Sequence, residues 1–103
     1  MRIITERRVR EFWQAAKGAE RAAREKAMRE WIGVVRKADW ISFMDVRATF
    51  NHADIYKNCT IFDVGGNKYR IIGKMAYRKK AIYIRFVITH EEYDKNKWQS
   101  DCK

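Results

Sequence analysis

The sequence contains no proline and only five glycines among its 103 residues. Because proline-rich, glycine-rich and serine-rich stretches are all missing, nothing marks a linker, a repeat or an internal boundary. A chain of this length has room for one modest core. We therefore expect a single domain over residues 1–103.

Cysteines are few, and long apolar runs are missing. Cys59 falls inside a predicted strand and Cys102 is next to the last residue, a spacing that matches neither a metal site nor a disulfide framework. We therefore expect both to be reduced thiols. The sequence has no run of about 18 apolar residues, which a membrane span needs, and no apolar secretory segment. It predicts a soluble, cytoplasmic protein.

Acidic residues are in deficit. Lys and Arg number 23 against 13 Asp and Glu, which gives a net charge of +10. Such a surplus on a small domain favours a polyanionic partner, and nucleic acid comes first. An anionic membrane surface or an acidic protein would use the same charge. A hydrophobic content of 47% argues against disorder.

Apolar residues at helical spacing predict a helical hairpin in the first third of the chain. After a short apolar start at residues 2–4, Thr5 is a good N-cap for a first helix. Gly18 interrupts the pattern. The second helical stripe consists of Ala23, Ala27, Trp31, Val34, Val35 and Ala38. Residues 39–58 have no clear period: the segment DVRATF is either a short strand or a turn, and His52 is expected in a loop.

From Cys59 onward the period changes to two, which predicts strands. The Gly65-Gly66 dipeptide suits a tight hairpin turn. On the strand after it, the basic face carries Lys68, Arg70 and Lys74 among the alternate residues. The last strand places on its apolar face Ile82, Ile84, Phe86 and Ile88. These patterns predict an α+β fold with a helical hairpin on a mainly antiparallel sheet.

The pairing of the last two strands decides which side chains meet. With Lys79 and Lys80 at the tip, the expected pairs are Tyr77–Ile82, Met75–Ile84, Gly73–Phe86, Ile71–Ile88 and, on the reverse face, Lys74–Arg85. Like charges directly opposite destabilise a sheet by about 0.2–1 kcal/mol. The Lys74–Arg85 pair therefore suits a bound anion such as a phosphodiester. The alternative is a solvated basic face.

The segment THEEYD, residues 89–94, follows the last strand. His90 suits acid or base work near neutral pH, although a polar surface histidine is the plainer interpretation. Tyr93 would share a helical face with His90 as a stacking platform, a proton donor or a core residue. No second cluster of ligands accompanies the acidic residues, so we expect no metal. Trp98 either closes the core or packs under the site.

Four stretches carry a family resemblance: VGGNKYR at 64–70, YIRFVITHEEYDK at 83–95, the opening MRIITERRVREFW and ADWISFMDVRATF at 38–50. They resemble the HigB family of type II toxins, which are RelE-like messenger-RNA endonucleases. The resemblance implies a RelE-like fold with a short N-terminal strand, two helices, an antiparallel sheet and a C-terminal helical turn. It also implies cleavage of mRNA, usually on the ribosome, and a HigA-like helix-turn-helix antitoxin as partner.

The resemblance further implies a site on the basic sheet face and near the end of the last strand. Mapped onto this sequence, that site contains Lys68, Arg70, Arg85, His90 and Tyr93. We expect Arg70 and Arg85 to clamp phosphate, with His90 and Tyr93 as the acid/base pair. Further RNA contacts are expected from Lys68, Lys74, Arg78, Lys79 and Lys80.

RNA supplies its own 2′-OH nucleophile, so this chemistry needs neither a metal nor another cofactor. Tyr93 or a lysine is the alternative base to His90. The rival hypothesis is a non-enzymatic RNA-binding or ribosome-binding module, which needs only charge and stacking. Action at a membrane fits less well, because the cations lie on a strand face and not along an amphipathic helix.

Overall fold

Helices and strands follow in the predicted order, with further elements in the middle of the chain. A computed structural model describes all 103 residues. The elements are β1 (Arg2–Ile4), α1 (Glu6–Gln14), α2 (Gly18–Lys37), α3 (Phe43–Thr49), β2 (Asp54–Tyr56), β3 (Cys59–Val64), β4 (Tyr69–Ala76), β5 (Ala81–Thr89) and α4 (His90–Asp94). Short 3-10 turns of Tyr77–Lys79 and Lys97–Asp101 follow β4 and α4.

The strands form one sheet in the order β1-β5-β4-β3-β2. Only β1 and β5 pair in parallel, so the mainly antiparallel α+β arrangement is confirmed. The β3–β4 hairpin turns at Gly65 and Gly66, with φ of +67° and +63°, values that glycine adopts without steric cost. No helix combines the length and the apolar composition that crossing a membrane requires.

The helical hairpin packs on one face of the sheet and buries the main core. The predicted stripe on α2 is confirmed for Ala27, Trp31 and Val35, whereas Val34 is 42% exposed. Phe62 on β3 is fully buried in this core. Residues 45–49 of the segment DVRATF belong to the helix α3, which neither expected alternative allowed. Only Val46 of α3 is buried, and a seven-residue helix with one buried position shows no period in the sequence.

The predicted register of β4 and β5 is wrong. Met75 pairs with Ile82 and Gly73 with Ile84, a shift of two residues, because the turn of residues 77–80 is longer than a two-lysine tip. Ile72 then pairs with Phe86. Arg85 is the extra residue of a β-bulge, which changes the register by one from that point onward.

The bulge moves Phe86 and Ile88 to the reverse face, so the expected single apolar column is also wrong. There they pack against a second, smaller core of Cys59, Ile61, Ile72, Trp98 and Cys102. The C-terminal turn supplies Trp98, which is 4% exposed. The reverse face is therefore not a purely basic surface, since its central part is covered.

Cys59 and Cys102 form a disulfide, and the expectation of two reduced thiols is wrong. Their Cα atoms are 5.6 Å apart, within the ordinary range for this bond. The bond ties the C-terminal turn to the start of β3, where the backbone N–H of Lys103 also donates to Oδ1 of Asn58, 2.8 Å away. The two cysteines lie 43 residues apart, so local sequence gave no sign of the pairing.

Candidate functional site

Arg70 lies at the start of β4, beside the β3–β4 turn, and is the centre of a hydrogen-bonded group. Its Nη1 donates to the carbonyls of Asn67 and Tyr69, both at 3.1 Å. Its Nη2 donates to Oδ1 of Asn67 at 2.6 Å and to Nδ1 of His90 at 3.1 Å. Nε lies 3.0 Å from Oδ1 of Asp63. Every guanidinium nitrogen thus has a partner, and the residue is 5% exposed.

His90 is the first residue of α4, and the end of β5 fixes its place. Oγ1 of Thr89 caps the helix by accepting from the backbone N–H of Glu92 at 3.2 Å, and the backbone N–H of His90 donates to the carbonyl of Lys68 at 2.8 Å. One helical turn later, Oδ2 of Asp94 lies 3.2 Å from Nε2 of His90. The imidazole is held at both nitrogens, yet 43% of the side chain stays exposed.

Tyr93 lies between the site and the second core. Its ring stacks on Trp98 with centroids 5.1 Å apart, and the guanidinium carbon of Arg70 is 4.9 Å from its centroid. Burial raises the pKa of Tyr93 because it disfavours the phenolate, against the opposing charge of Arg70. The phenol therefore keeps its proton and suits a donor better than a base.

Lys74 and Arg85 converge on an anion, as the sequence suggested, but that anion is the chain's own Asp101. Nε and Nη2 of Arg85 donate to the two carboxylate oxygens at 2.7 and 2.9 Å. Nζ of Lys74 lies 3.6 Å away. The hydrogen bonds from Arg85 lower the pKa of Asp101, because they favour the carboxylate. Lys74 itself pairs with Tyr83 and not with Arg85.

Two open clefts meet at Asn67. One, of about 540 Å³, is lined by polar residues that include Lys68, His90, Glu20 and Glu91. The other, of about 570 Å³, is lined in part by the loop that carries His52. Lys68 and His90 are thus exposed in the same cleft, next to the buried Arg70.

The cations of the β4–β5 turn lie at the far end of both strands from His90. Arg78 and Lys79 belong to the 3-10 turn, and Nζ of Lys80 is 2.6 Å from Oδ1 of Asp39. The structure therefore brings together Lys68, Arg70, His90 and Tyr93, and leaves Arg78, Lys79 and Lys80 separate. No three side chains among the histidines, cysteines, aspartates and glutamates are grouped as a metal site would require.

Sequence reasoning missed three residues that organise the site: Asn67, Asp94 and Asp101. Asn67 had a signal, because it follows Gly65-Gly66 in the hairpin turn and itself adopts a positive φ of +77°. Asp94 had one in its spacing of four from His90 on a helix. Asp101 had none, since its contact with Arg85 depends on how the C-terminus folds back.

Comparisons with known proteins agree with this picture. Residues 24–96, well over half of the chain, match the HigB toxin family, described as the RelE-like toxic component of a toxin-antitoxin system. The chain is 28% identical over 72 residues to the mRNA interferase HigB of Escherichia coli O6:H1 (strain CFT073), which covers 67% of this chain and 70% of that protein.

It is also 36% identical over 52 residues to the mRNA interferase toxin HigB of Escherichia coli K12, an alignment that covers 48% of this chain and 50% of the relative. The family match includes β2 to β5, α4 and therefore the whole group around Arg70 and His90. The chain belongs to the HigB family of RelE-like toxins.

Proposed function

We propose that this protein is a metal-independent endoribonuclease that cuts messenger RNA on the ribosome and so inhibits translation. The observation that carries the proposal is His90, an exposed imidazole held between Arg70 and Asp94 and sharing an open cleft with Lys68. The mRNA interferase names of the relatives support the same activity.

The reaction needs few protein groups, because RNA carries its own nucleophile. The 2′-OH loses its proton and attacks the neighbouring phosphorus in line, and the bond to the leaving 5′-oxygen breaks as that oxygen takes up a proton. His90 and Tyr93 act as proton donors, in keeping with the raised pKa of Tyr93, and Lys68 in the same cleft, as a neutral amine, takes the proton of the 2′-OH. The charged Lys68 that results stabilises the charge on the phosphate. The products are a 2′,3′-cyclic phosphate and a 5′-OH.

Arg85 and Lys74 hold a different phosphate from the one that reacts. Arg85 lies five positions before His90, about 16 Å at the usual rise of a strand. In this proposal an RNA phosphate displaces the Asp101 carboxylate, since a guanidinium fork binds either anion through two parallel hydrogen bonds. Arg78, Lys79 and Lys80 then contact the RNA backbone farther along the sheet.

Replacing His90 with alanine should abolish most of the cutting. General acid–base catalysis contributes about 10²–10⁴-fold, so we expect at least about 100-fold slower cleavage of a defined mRNA in primer extension, with and without translating ribosomes. His52→Ala is the matched control, because it removes the other histidine from a loop outside the group around Arg70.

Cuts only on ribosomes, lost in His90→Ala and kept in His52→Ala, are the expected result. Intact RNA in both conditions, from folded wild-type protein that still binds it, would instead support a non-enzymatic binding module. Cutting by His90→Ala at the wild-type rate would remove His90 from the chemistry.

Replacing Asp101 with asparagine should tighten RNA binding, because it frees Arg85 and Lys74 from their carboxylate. Each added phosphate contact steepens the salt dependence of single-strand binding by about 0.7 in log–log slope. Fluorescence anisotropy with a 2′-O-methyl RNA, which cannot be cut, measures both affinity and slope. Glu25→Gln removes the same charge from an i,i+4 pair with Arg29 on α2. Equal salt-dependence slopes for Asp101→Asn and Glu25→Gln would contradict the displacement of the Asp101 carboxylate by an RNA phosphate.

We also propose that a helix-turn-helix antitoxin encoded beside this protein binds it in the cytoplasm. The net charge of +10 favours an acidic partner surface. Co-purification of the neighbouring gene product with tagged toxin tests this partner, and a tagged toxin that always purifies alone would contradict it.

A further inference from the structure

We propose that Arg70 is a positioning residue for His90 and not a ligand of RNA phosphate. Its permanent N–H donors hold Nδ1 of His90 as an acceptor, so that the neutral ring carries its proton on Nε2. The inference deepens the proposed function, on which its catalytic part rests. It departs from the expectation that Arg70 clamps phosphate.

Arg70 has no guanidinium nitrogen without a partner. Nη1 and Nη2 donate four hydrogen bonds, and Nε lies against Asp63. The side chain is only 7% exposed. A phosphate would have to take the guanidinium from partners already in place and leave the carboxylate of Asp63 half-buried without its cation, which is costly.

The hydrogen bond between Arg70 and His90 can run in only one direction. A guanidinium is a donor only and stays protonated, so Nδ1, 3.1 Å from Nη2, must offer its lone pair. In the neutral ring the proton then sits on Nε2, which donates to Oδ2 of Asp94, 3.2 Å away. The arrangement is self-consistent because one neighbour can only donate and the other, as a carboxylate, can only accept.

The backbone carbonyl of Asn67 would favour the opposite tautomer of His90, with the proton on Nδ1. It lies 3.1 Å from Nδ1 and would accept from that nitrogen only if Nδ1 carried a hydrogen. Two hydrogens would then face each other along the Arg70 contact, so the ring would have to give up one neighbour to gain the other. Arg70 thus selects between two tautomers that the surroundings of His90 would otherwise both accept.

The same guanidinium orients two further groups. Nη2 lies 2.6 Å from Oδ1 of Asn67, which fixes which way the side-chain amide points. The guanidinium carbon lies 4.9 Å from the centroid of Tyr93. One buried cation therefore sets the tautomer of His90, the amide of Asn67 and the placement of Tyr93.

The direct test is the tautomer of His90 in the wild-type protein. Two-bond ¹⁵N–¹H correlation spectra distinguish a ring protonated at Nε2 from one protonated at Nδ1, and the second histidine, His52, gives the internal comparison. We expect the Nε2–H pattern for the neutral ring of His90. A dominant Nδ1–H pattern would overturn the proposal, whether or not the protein cuts RNA.

Variants of Arg70 test the consequence for the reaction. Arg70→Met removes every donor, and a misplaced catalytic group costs about 100-fold in rate, so we expect a loss of that size. The Kd for 2′-O-methyl RNA and its salt slope should stay within about twofold of wild type, whereas Lys68→Ala, which removes a phosphate contact, should lower the slope by about 0.7. A lower salt-dependence slope for Arg70→Met would show that Arg70 is a phosphate ligand.

A double variant shows whether Arg70 acts through His90. Arg70→Met combined with His90→Ala should cut no more slowly than His90→Ala alone, because groups that act as a unit are not additive. If the rate losses of the two single variants multiply in the double variant, Arg70 does not act by positioning His90. Arg70→Lys keeps a donor near Nδ1 and should keep the Nε2–H tautomer, which gives a second measurement if the methionine variant does not fold. If the wild-type protein does not cut RNA, the proposed function is contradicted. The tautomer of His90 and the salt dependence of RNA binding can still be measured, so they test the role of Arg70 separately.

Discussion

Reducing the disulfide between Cys59 and Cys102 should lower the free energy of unfolding by about 4 kcal/mol. The bond joins residues 43 positions apart, and in the chain-entropy account a closed loop of that length removes about this much free energy from the unfolded ensemble. It also ties down the turn that carries Trp98 and Asp101. Few single bonds in a domain of this size have so large an effect, because net stabilities are only about 5–15 kcal/mol.

Urea unfolding with and without a phosphine reductant measures this difference on one sequence. The Cys59→Ser/Cys102→Ser double variant is the control, since its unfolding midpoint should not respond to reductant. Equal midpoints for oxidised and reduced wild type, with both thiols free to alkylate in the folded protein, would contradict the bond.

Replacing Phe62 with alanine should cost about 3–5 kcal/mol of stability, the usual range for a phenylalanine removed from a well-packed core. Phe62 is fully buried. Its ring meets Trp31 edge-on at 5.3 Å and Phe50 edge-on at 5.5 Å, and it stacks with Trp40 at 6.1 Å. These aromatic neighbours come from α2 and from the segments on either side of α3. Because they belong to different elements, the shift of one element would not fill the cavity that Phe62→Ala creates.

The matched control is Met44→Ala on α3, where the native side chain is 81% exposed. Its effect should stay within about 0.5 kcal/mol. A loss of less than about 1 kcal/mol for Phe62→Ala, from the same denaturant melts, would mean that the aromatic group is not the centre of the core.

Local signals predicted the parts of the fold that depend on local structure. Thr5 precedes α1, Gly18 begins α2, and Gly65-Gly66 turns the β3–β4 hairpin, each at the position that the sequence indicated. Period-two alternation likewise identified β4 and β5. These features need only the preferences of neighbouring residues, so one sequence is enough to find them.

Long-range pairing is what the sequence could not supply. The bulge at Arg85 depends on how β4 meets β5, and alternation alone treats Phe86 and Ile88 as a continuation of Ile84. The disulfide and the contact of Asp101 with Arg85 depend on the C-terminal turn folding back across the sheet. None of these has a signature within a few residues of its own position.

The candidate site was predicted in composition more than in arrangement. Parity correctly assigned Arg70 and Lys74 to the reverse face, and the THEEYD segment does meet that face at His90. The alternation of residues along a strand predicts which face a side chain lies on, but not how deeply that side chain is buried. It could not show that Arg70 is buried with all its guanidinium nitrogens hydrogen-bonded, or that Lys68 is exposed. In the proposed mechanism this difference leaves Lys68, and not Arg70, available to a phosphate.

The β-bulge gives one position of β5 an importance that its side chain does not explain. Because Arg85 is the extra residue between the pairs Gly73–Ile84 and Ile72–Phe86, the number of residues before Phe86 determines which core Phe86 and Ile88 enter. A codon lost from or added to this strand would exchange the two faces of everything up to His90, whereas exchanging Arg85 for another residue leaves both cores in place. Relatives that keep both cores should therefore hold the length of this strand constant.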